Sequence, residues 1–471
     1  MRPSIALCQA TLPEIAARGV SVPTYERRRL EPRILHVGVG GFHRAHLALY
    51  THELAETGSD WGIRGVGLLR QDVRMAEALA PQDHLYTLVE RGNGEPRPRV
   101  VGSIIDYRLA HDQPADAVDL AADPAVAIVS LTITEAGYGD RVDGVTSSTP
   151  TTFDVIAMGL DRRRQAGHAP LTIVSCDNLP GNGDAARRST LVAARRVDAS
   201  LAVWADRHCA FPNSMVDRIT PATSDADRAW LLDALGVEDR WPVVAEPFRQ
   251  WVIEDEFANG RPRWEDVGVL FTDRVHDWEL YKLRLLNAGH SSMAYLAALA
   301  GVTYVDEAMA LPDVRRFLSH LLIDEAVPSL APIPDHPRRD YVASVLKRFS
   351  NTGVRDQVAR LCIDGSTKFR TFLLPTVAFQ LDNDGPIARS ALALAGWARY
   401  LAGVPLDQQA FDAVGDTARQ YARRATDDPT RFLEFREVFP RAVGDSDRFR
   451  AAFAAAWQRV GDVGPLAAMR D

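Results

Sequence analysis

The chain has 471 residues, 46% apolar and 25% charged, which is the balance of an ordinary soluble folded protein of two or three domains. A net charge of −8, with acids and bases interleaved and arginine runs no longer than Arg27 to Arg29 and Arg162 to Arg164, argues against a nucleic-acid-binding surface. Cys8, Cys176, Cys209 and Cys362 are too scattered for a disulfide framework or a structural zinc site, so a reducing cytoplasm is the expected compartment. The first residues lack the apolar core of a signal peptide, and no stretch approaches the ~20 apolar residues of a membrane span.

In chain order, residues 34–40 (ILHVGVG) read as a buried strand that feeds an amphipathic helix through HRAHLALYTHELAETG. Further apolar strands are expected at 62–69, 125–134 and 171–179, separated by helical patterns. Fully apolar strands alternating with helices imply a parallel sheet covered on both faces, the doubly wound α/β class. The stretch from WPVVAEPFRQWVIEDEF to VLFTD reads as antiparallel strands extending that sheet, with residues 260–264 (GRPRW) as a hairpin loop. After about residue 273 strand signals vanish, and periodic segments such as SALALAGWARYLAGV and QAFDAVGDTARQYARRA predict a mostly α-helical domain, broken at 382–386 (DNDGP). The expected division is therefore 1–272 for a Rossmann-type nucleotide-binding domain and 273–471 for a helical one.

Gly38 and Gly40 fill the first two positions of a dinucleotide fingerprint between strand and helix, where the backbone can approach a pyrophosphate. His43 stands where the third glycine belongs, so a glycine-rich turn without a ligand stays open as the plainer reading. Asp72 follows the second expected strand, where a carboxylate accepts hydrogen bonds from the adenosine ribose and repels a 2′-phosphate, favouring NAD over NADP. Arg70 and Arg74 lie near enough to soften that preference, and an ordinary loop acid remains the alternative.

Removing a hydride from an alcohol needs a base and donors for the developing alkoxide. No Cys/His set has the spacing for a metal, so side chains must supply both. In YKLRLLNAGHSSMAYLAALAG, Lys282, His290 and Asn287 fall near 0°, 80° and 140° at about 100° per residue on an α-helix. A lysine there, partly desolvated, would have its pKa drawn toward neutrality, while Asn287 donates to an oxyanion and His290 orients an oxygen. A surface lysine beside core polar residues is the bland alternative. In SCDNLPGNG, after an apolar strand, Asn178 is either a second oxyanion donor or the start of an Asx turn.

The segments HVGVGGFHRAH, SCDNLPGNG, FPNSMVDRITP, KLRLLNAGH and RLCIDGSTKF, in this order, make the chain resemble the long-chain mannitol dehydrogenase family, polyol-specific enzymes that work without zinc. The resemblance implies Lys282 as catalytic base, Asn178 and Asn287 as the oxyanion hole, and His290 as the residue orienting the reacting oxygen. It implies Arg360 and Lys368 as contacts to substrate hydroxyls, and Val216 and Asp217 as lining of the nicotinamide and substrate site. Glu279 matches an acid that exchanges the proton with solvent. Gly38, Gly40, Gly41, Phe42 and Asp72 match the NAD site, where Gln71 stands in place of an acid that some members carry. The implied reaction is D-mannitol and NAD to D-fructose and NADH in a monomeric enzyme. Arabinitol and mannonate are the alternative substrates, since Arg284 also occurs in the uronate reductases. A non-catalytic NAD-binding regulator is a further alternative, although the base, amides and histidine are all present.

Overall fold

In the computed structural model, which describes residues 3–139 and 150–470, the polypeptide divides into two compact units, Met1–His276 and Asp277–Asp471. The first is built on a five-stranded parallel sheet in the order Ile104–Leu109, Trp61–Gly67, Glu31–Val37, Ile128–Leu131 and Thr172–Ser175. The chain starts in the middle strand and winds outward in both directions, so a crevice opens between the Glu31–Val37 and Ile128–Leu131 strands at their carboxyl ends.

Alternate residues of these strands feed two cores. Ile34, Ile63, Ile104, Ile128 and Val174 face the helix Leu47–Glu56 and its neighbours. Leu35, Val37, Val66, Val129 and Ile173 face the helices Pro114–Ala122, Thr152–Ala166 and Asn182–Val197. The strand period of two requires this split when both faces are covered. Full burial of each such aliphatic side chain contributes about 1.5–3 kcal/mol.

The extra strands are present but do not extend this sheet, contrary to the expectation from sequence. Val243–Ala245 pairs parallel with Tyr86–Glu90, which pairs antiparallel with Arg97–Val101, in a separate three-stranded sheet. Gln250–Ile253 pairs antiparallel with Ser214–Asp217 and parallel with Leu270–Phe271 in another. Residues 260–264 are therefore not a hairpin loop, because the strands on either side run in the same direction. The connection instead crosses over and plugs itself into the core with Trp264, which is 0% exposed and packs on Trp251 at 4.6 Å between ring centroids.

Among the described residues of the second unit there are helices and no strand longer than a single bridge. Ala288–Leu299 and Ala388–Gly403 pack together, and the latter also packs on Asp447–Val463. Trp397, fully buried, gathers Phe369 at 5.2 Å and Phe432 at 5.0 Å into an aromatic centre. Residues 382–386 do break the helical run, separating Leu374–Asp382 from Ala388–Gly403.

Among the described residues, three segments of this unit widen from α-geometry to π-geometry. Lys282–Asn287, Leu321–Ala326 and Phe369–Leu373 are π-helical turns. Each shows an amide donating to the carbonyl five residues back: Ala288 to Leu283, Val327 to Leu322, and Leu374 to Phe369. The first packs against both of the others. Such turns are rare and concentrate at functional sites.

Replacing Trp264 by Ala removes the buried plug of the crossover and should destabilise the chain by about 3–5 kcal/mol. The urea midpoint measures this, and a change below about 1 kcal/mol would show that the crossover does not depend on the indole.

Candidate functional site

The Glu31–Val37 strand runs into a turn that only glycine can make. Gly38 has φ +92, and a Cβ there would lie 2.2 Å from the Thr132 carbonyl oxygen. Thr132 belongs to the neighbouring strand's end, and its hydroxyl donates to Gly38 O at 2.6 Å. Gly40 is extended and caps the short helix Gly41–Ala45, with nothing within 3.8 Å of where its Cβ would be. A glycine turn of this kind, between a strand and a helix, lets backbone amides approach a pyrophosphate. Phe42 is half-buried and stacks on His46 at 4.9 Å.

His43, in the third fingerprint position, fills the space beneath the turn. It is 0% exposed and stacks at 3.4 Å on His36, and neither of its ring nitrogens has a hydrogen-bond partner among the described residues. His36 is well bonded, to Ser130 Oγ at 2.8 Å, Thr132 Oγ1 at 3.0 Å and Gly38 O at 3.3 Å. Burial lowers the His36 pKa to about 3. Burial, followed by the charges of His36, Arg44 and His46, holds His43 well below the usual imidazole range.

Asp72 sits just past the Trp61–Gly67 strand, half-buried, with Oδ2 accepting from Leu69 N at 2.9 Å. A Cβ on Gly67 would come within 2.6 Å of Asp72 Cβ, so the glycine lets the carboxylate lie across the strand end. Arg74 turns to the Trp241 ring, 5.5 Å from its centroid. An open glycine turn with a carboxylate at the second strand end fits the pyrophosphate and ribose of a dinucleotide.

At the end of the Thr172–Ser175 strand, Asn178 is exposed at the apex of a γ-turn, in which Leu179 N donates to Asp177 O at 2.9 Å. The Asn182 amide nitrogen bonds Ser175 O, Asp177 O and Ser214 O at 3.2, 3.1 and 2.8 Å, and its oxygen accepts from Ser214 N at 2.9 Å. This fixes the turn to the strand Ser214–Asp217, on which Val216 and Asp217 are each 3% exposed. Gly183 completes the lock, since a Cβ would meet Phe211 O at 2.5 Å. Asp177 is itself 7% exposed, with its carboxyl pKa raised by burial against the lowering effect of its hydrogen bonds to Tyr138, Ile133 and Thr134.

In the helical unit, the π-turn alters the expected side-chain phases. On an α-helix Lys282 and Asn287 would lie about 140° apart, whereas an i→i+5 hydrogen-bonded turn brings the fifth residue back over the first. Lys282 and Asn287, both half-buried, open and close this turn, and Glu279 is 7% exposed one turn earlier. His290 is 8% exposed and stacks on Phe349 at 3.8 Å, and its Nε2 has no partner among the described residues. Burial pushes the His290 pKa well below the usual range, and the charges of Arg360, Arg348 and Lys368 push the same way. The charges of Arg360 and Lys368 are thus felt at His290.

Arg360 is 53% exposed and ion-paired with Asp356. Lys368 Nζ donates to Leu361 O at 3.0 Å, and burial, then Arg360, lowers its pKa. Arg284 donates to Ser329 O at 2.7 Å. Arg348 and Phe349 were not anticipated, and nothing local in LKRFSN marks them. Asp177 and Asn182 were also missed as individual residues, although they lie inside the polar cluster that drew attention to Asn178. Among the described residues no three His, Cys, Asp or Glu side chains gather as a metal ion would require, and no helix is long and apolar enough to cross a membrane.

Residues 32–266 match the mannitol dehydrogenase Rossmann domain and residues 274–461 the mannitol dehydrogenase C-terminal domain. A mannitol 2-dehydrogenase of Cereibacter sphaeroides is 40% identical, covering 96% of this chain and 98% of its own length. Mannitol dehydrogenase 2 of Saccharomyces cerevisiae is 39% identical, covering 96% and 94%. Among solved structures, the Pseudomonas fluorescens mannitol 2-dehydrogenase ternary complex with NAD and D-mannitol is similar at a TM-score of 0.88 and 40% identity, with 99% of each chain covered. A substrate-free D-sorbitol dehydrogenase is similar at 0.89 and 34%, covering 98% of this chain and 100% of its own.

The buried histidines make a pH prediction. Below about 6.5 the unfolded imidazole takes a proton that folded His43 refuses, so this residue costs stability as pH falls below that value. His43→Phe keeps a ring on His36 and removes two unpartnered nitrogens. It should change stability at pH 7 by less than about 1.5 kcal/mol and flatten the loss between pH 7 and 5. Urea midpoints at both pH values measure this, and an unchanged slope would contradict the assignment.

Proposed function

The chain belongs to the mannitol dehydrogenase family, and on that footing we propose that it is an NAD-dependent polyol dehydrogenase converting D-mannitol to D-fructose, with Lys282 as base and no metal. The observation that carries this reading is the full-length match to a family structure holding NAD and D-mannitol. Gly38, Gly40, Gly41, Phe42, Asp72 and Val216 are the residues to hold the cofactor, which when bound supplies the hydride acceptor. We also propose a monomer acting in the cytoplasm.

Neutral Lys282 takes the hydroxyl proton from the carbon being oxidised and passes it toward solvent by way of Glu279. The carbon gives up its hydride as the proton leaves. Asn178 and Asn287 donate hydrogen bonds to the oxygen as its charge grows, which favours the transition state over the bound alcohol. His290 stays neutral because it is buried, so its Nε2, unpartnered among the described residues, is able to orient that oxygen without repelling a protonated lysine. Asp217, Arg360 and Lys368 hold the remaining hydroxyls. In the ketose-reducing direction the same lysine returns the proton.

Polyol over aldonate is supported by how the arginines are engaged: Arg284 holds Ser329 O, and Arg360 is matched by Asp356. The second reading, a mannonate oxidoreductase, draws on Arg348 and Lys368, whose charges both reach His290. NADH absorbance with NAD or NADP against mannitol, sorbitol, arabinitol and mannonate separates the two. The highest kcat/KM is expected for mannitol with NAD. A tenfold preference for mannonate would favour the second reading, and no reduction with any of the four would overturn both.

Lys282→Ala should lower kcat by about 10²–10⁴-fold at neutral pH while NADH still binds. Asn178→Ala and Asn287→Ala should each cost about 10²–10³-fold in kcat. Near-normal turnover in Lys282→Ala would refute the base assignment.

A further inference from the structure

We propose that Asp177 is a positioning residue for the reaction: its carboxylate clamps the ends of two adjacent strands and so sets the turn that presents Asn178. The proposal rests on the reading of Asn178 as an oxyanion donor.

The clamp is built from five contacts. Oδ2 accepts from Ile133 N at 3.1 Å and from the Tyr138 hydroxyl at 2.7 Å, while Oδ1 accepts from Thr134 N at 2.8 Å. The Asp177 amide in turn donates to Ser175 Oγ at 3.3 Å, and the same Tyr138 hydroxyl lies 2.6 Å from that oxygen. Ile133 and Thr134 follow the Ile128–Leu131 strand, and Asp177 follows Thr172–Ser175, its neighbour in the sheet.

Two observations set this carboxylate apart from a routine buried acid. The first is strain: Thr134, a β-branched residue, is held at φ +63 and ψ 166, a conformation outside the regions such residues adopt. Conformations of that kind are unfavourable and persist only where surrounding bonds over-determine them, commonly next to active sites. The bond from Thr134 N to Asp177 is one such constraint. The second is location, because the carboxyl ends of adjacent strands are where a doubly wound sheet binds its ligands.

Asp177 also acts through its backbone. Its carbonyl accepts both Leu179 N, closing the γ-turn around Asn178, and the Asn182 amide at 3.1 Å. Fixing the side chain of Asp177 therefore fixes the first corner of the turn, with Asn182 holding it from behind. An oxyanion donor is effective only if it is already aimed before charge develops. A donor displaced by a fraction of an ångström still binds the alcohol but stabilises the transition state less.

The test is Asp177→Asn in the intact enzyme, which keeps the shape and one acceptor oxygen but cannot accept from both strand-end amides and the hydroxyl. NADH-binding sites are titrated by fluorescence, and kcat is expressed per site. The expected result is a tenfold or greater fall in kcat and in kcat/KM together, with KM for mannitol and NADH stoichiometry unchanged. A kcat per site within threefold of wild type would overturn the proposal. Should Asp177→Asn fail to fold, Tyr138→Phe removes a single hydroxyl from the clamp while its ring stays against Phe153, 5.3 Å away. It should lower kcat at least threefold with KM and NADH stoichiometry unchanged, and an unchanged kcat would likewise overturn the proposal. Asn178→Ala separates the two levels. Wild-type kcat in that variant defeats the oxyanion reading itself, whereas its loss together with normal turnover in Asp177→Asn defeats the positioning role alone.

Discussion

Three neighbouring strands of the parallel sheet end level, with Val37, Leu131 and Ser175 in register across the ladder. The chain must then leave the sheet three times within a few ångströms, without steric collision and without stranding backbone polar groups. The nucleotide-binding unit solves this with a short chain of contacts. Gly38 yields its side chain to Thr132 O, Thr132 returns a hydroxyl to Gly38 O, and His36 ties both from below. One step along, Asp177 does the same for Ile133 and Thr134. The glycine turn and the Asn178 turn are thus products of one packing problem.

His43 shows why a departure from the sequence fingerprint need not mean a departure from function. The third glycine exists to let helix and strand approach. Here the helix at Gly41–Ala45 is short, and the chain bends at His46, whose φ of −122 and ψ of −94 are not helical. That bend leaves room for a flat ring, which stacks on His36. The cost is two buried nitrogens with no partner among the described residues, tolerable only because the imidazole stays neutral.

Much of this was legible in the sequence. The four apolar runs lay where four of the five sheet strands are, because strands buried on both faces carry little except apolar residues. Ile104–Leu109 was not legible, being half polar, nor were Tyr86–Glu90 and Arg97–Val101. The extra strands were readable as strands, but neither their separate sheets nor the parallel pairings of Val243–Ala245 and Leu270–Phe271 were, since pairing partners are chosen by tertiary contacts that alternation does not encode. In the helical unit, Lys282, Asn287 and His290 stood out by residue type. Their company did not, because Arg348 and Phe349 reach His290 from a helix distant in sequence.

The π-turn at Lys282–Asn287 bears on how spacing motifs are interpreted in general. The string Lys-(x)4-Asn-(x)2-His is a set of intervals, and intervals become directions only once the hydrogen-bond offset is known. The same letters on a regular helix would send lysine and asparagine about 140° apart. Grafting the motif onto an ideal helical scaffold would therefore reproduce the spelling and lose the constellation. A search for mimics of this site should match the offset of the turn first and the residue names second.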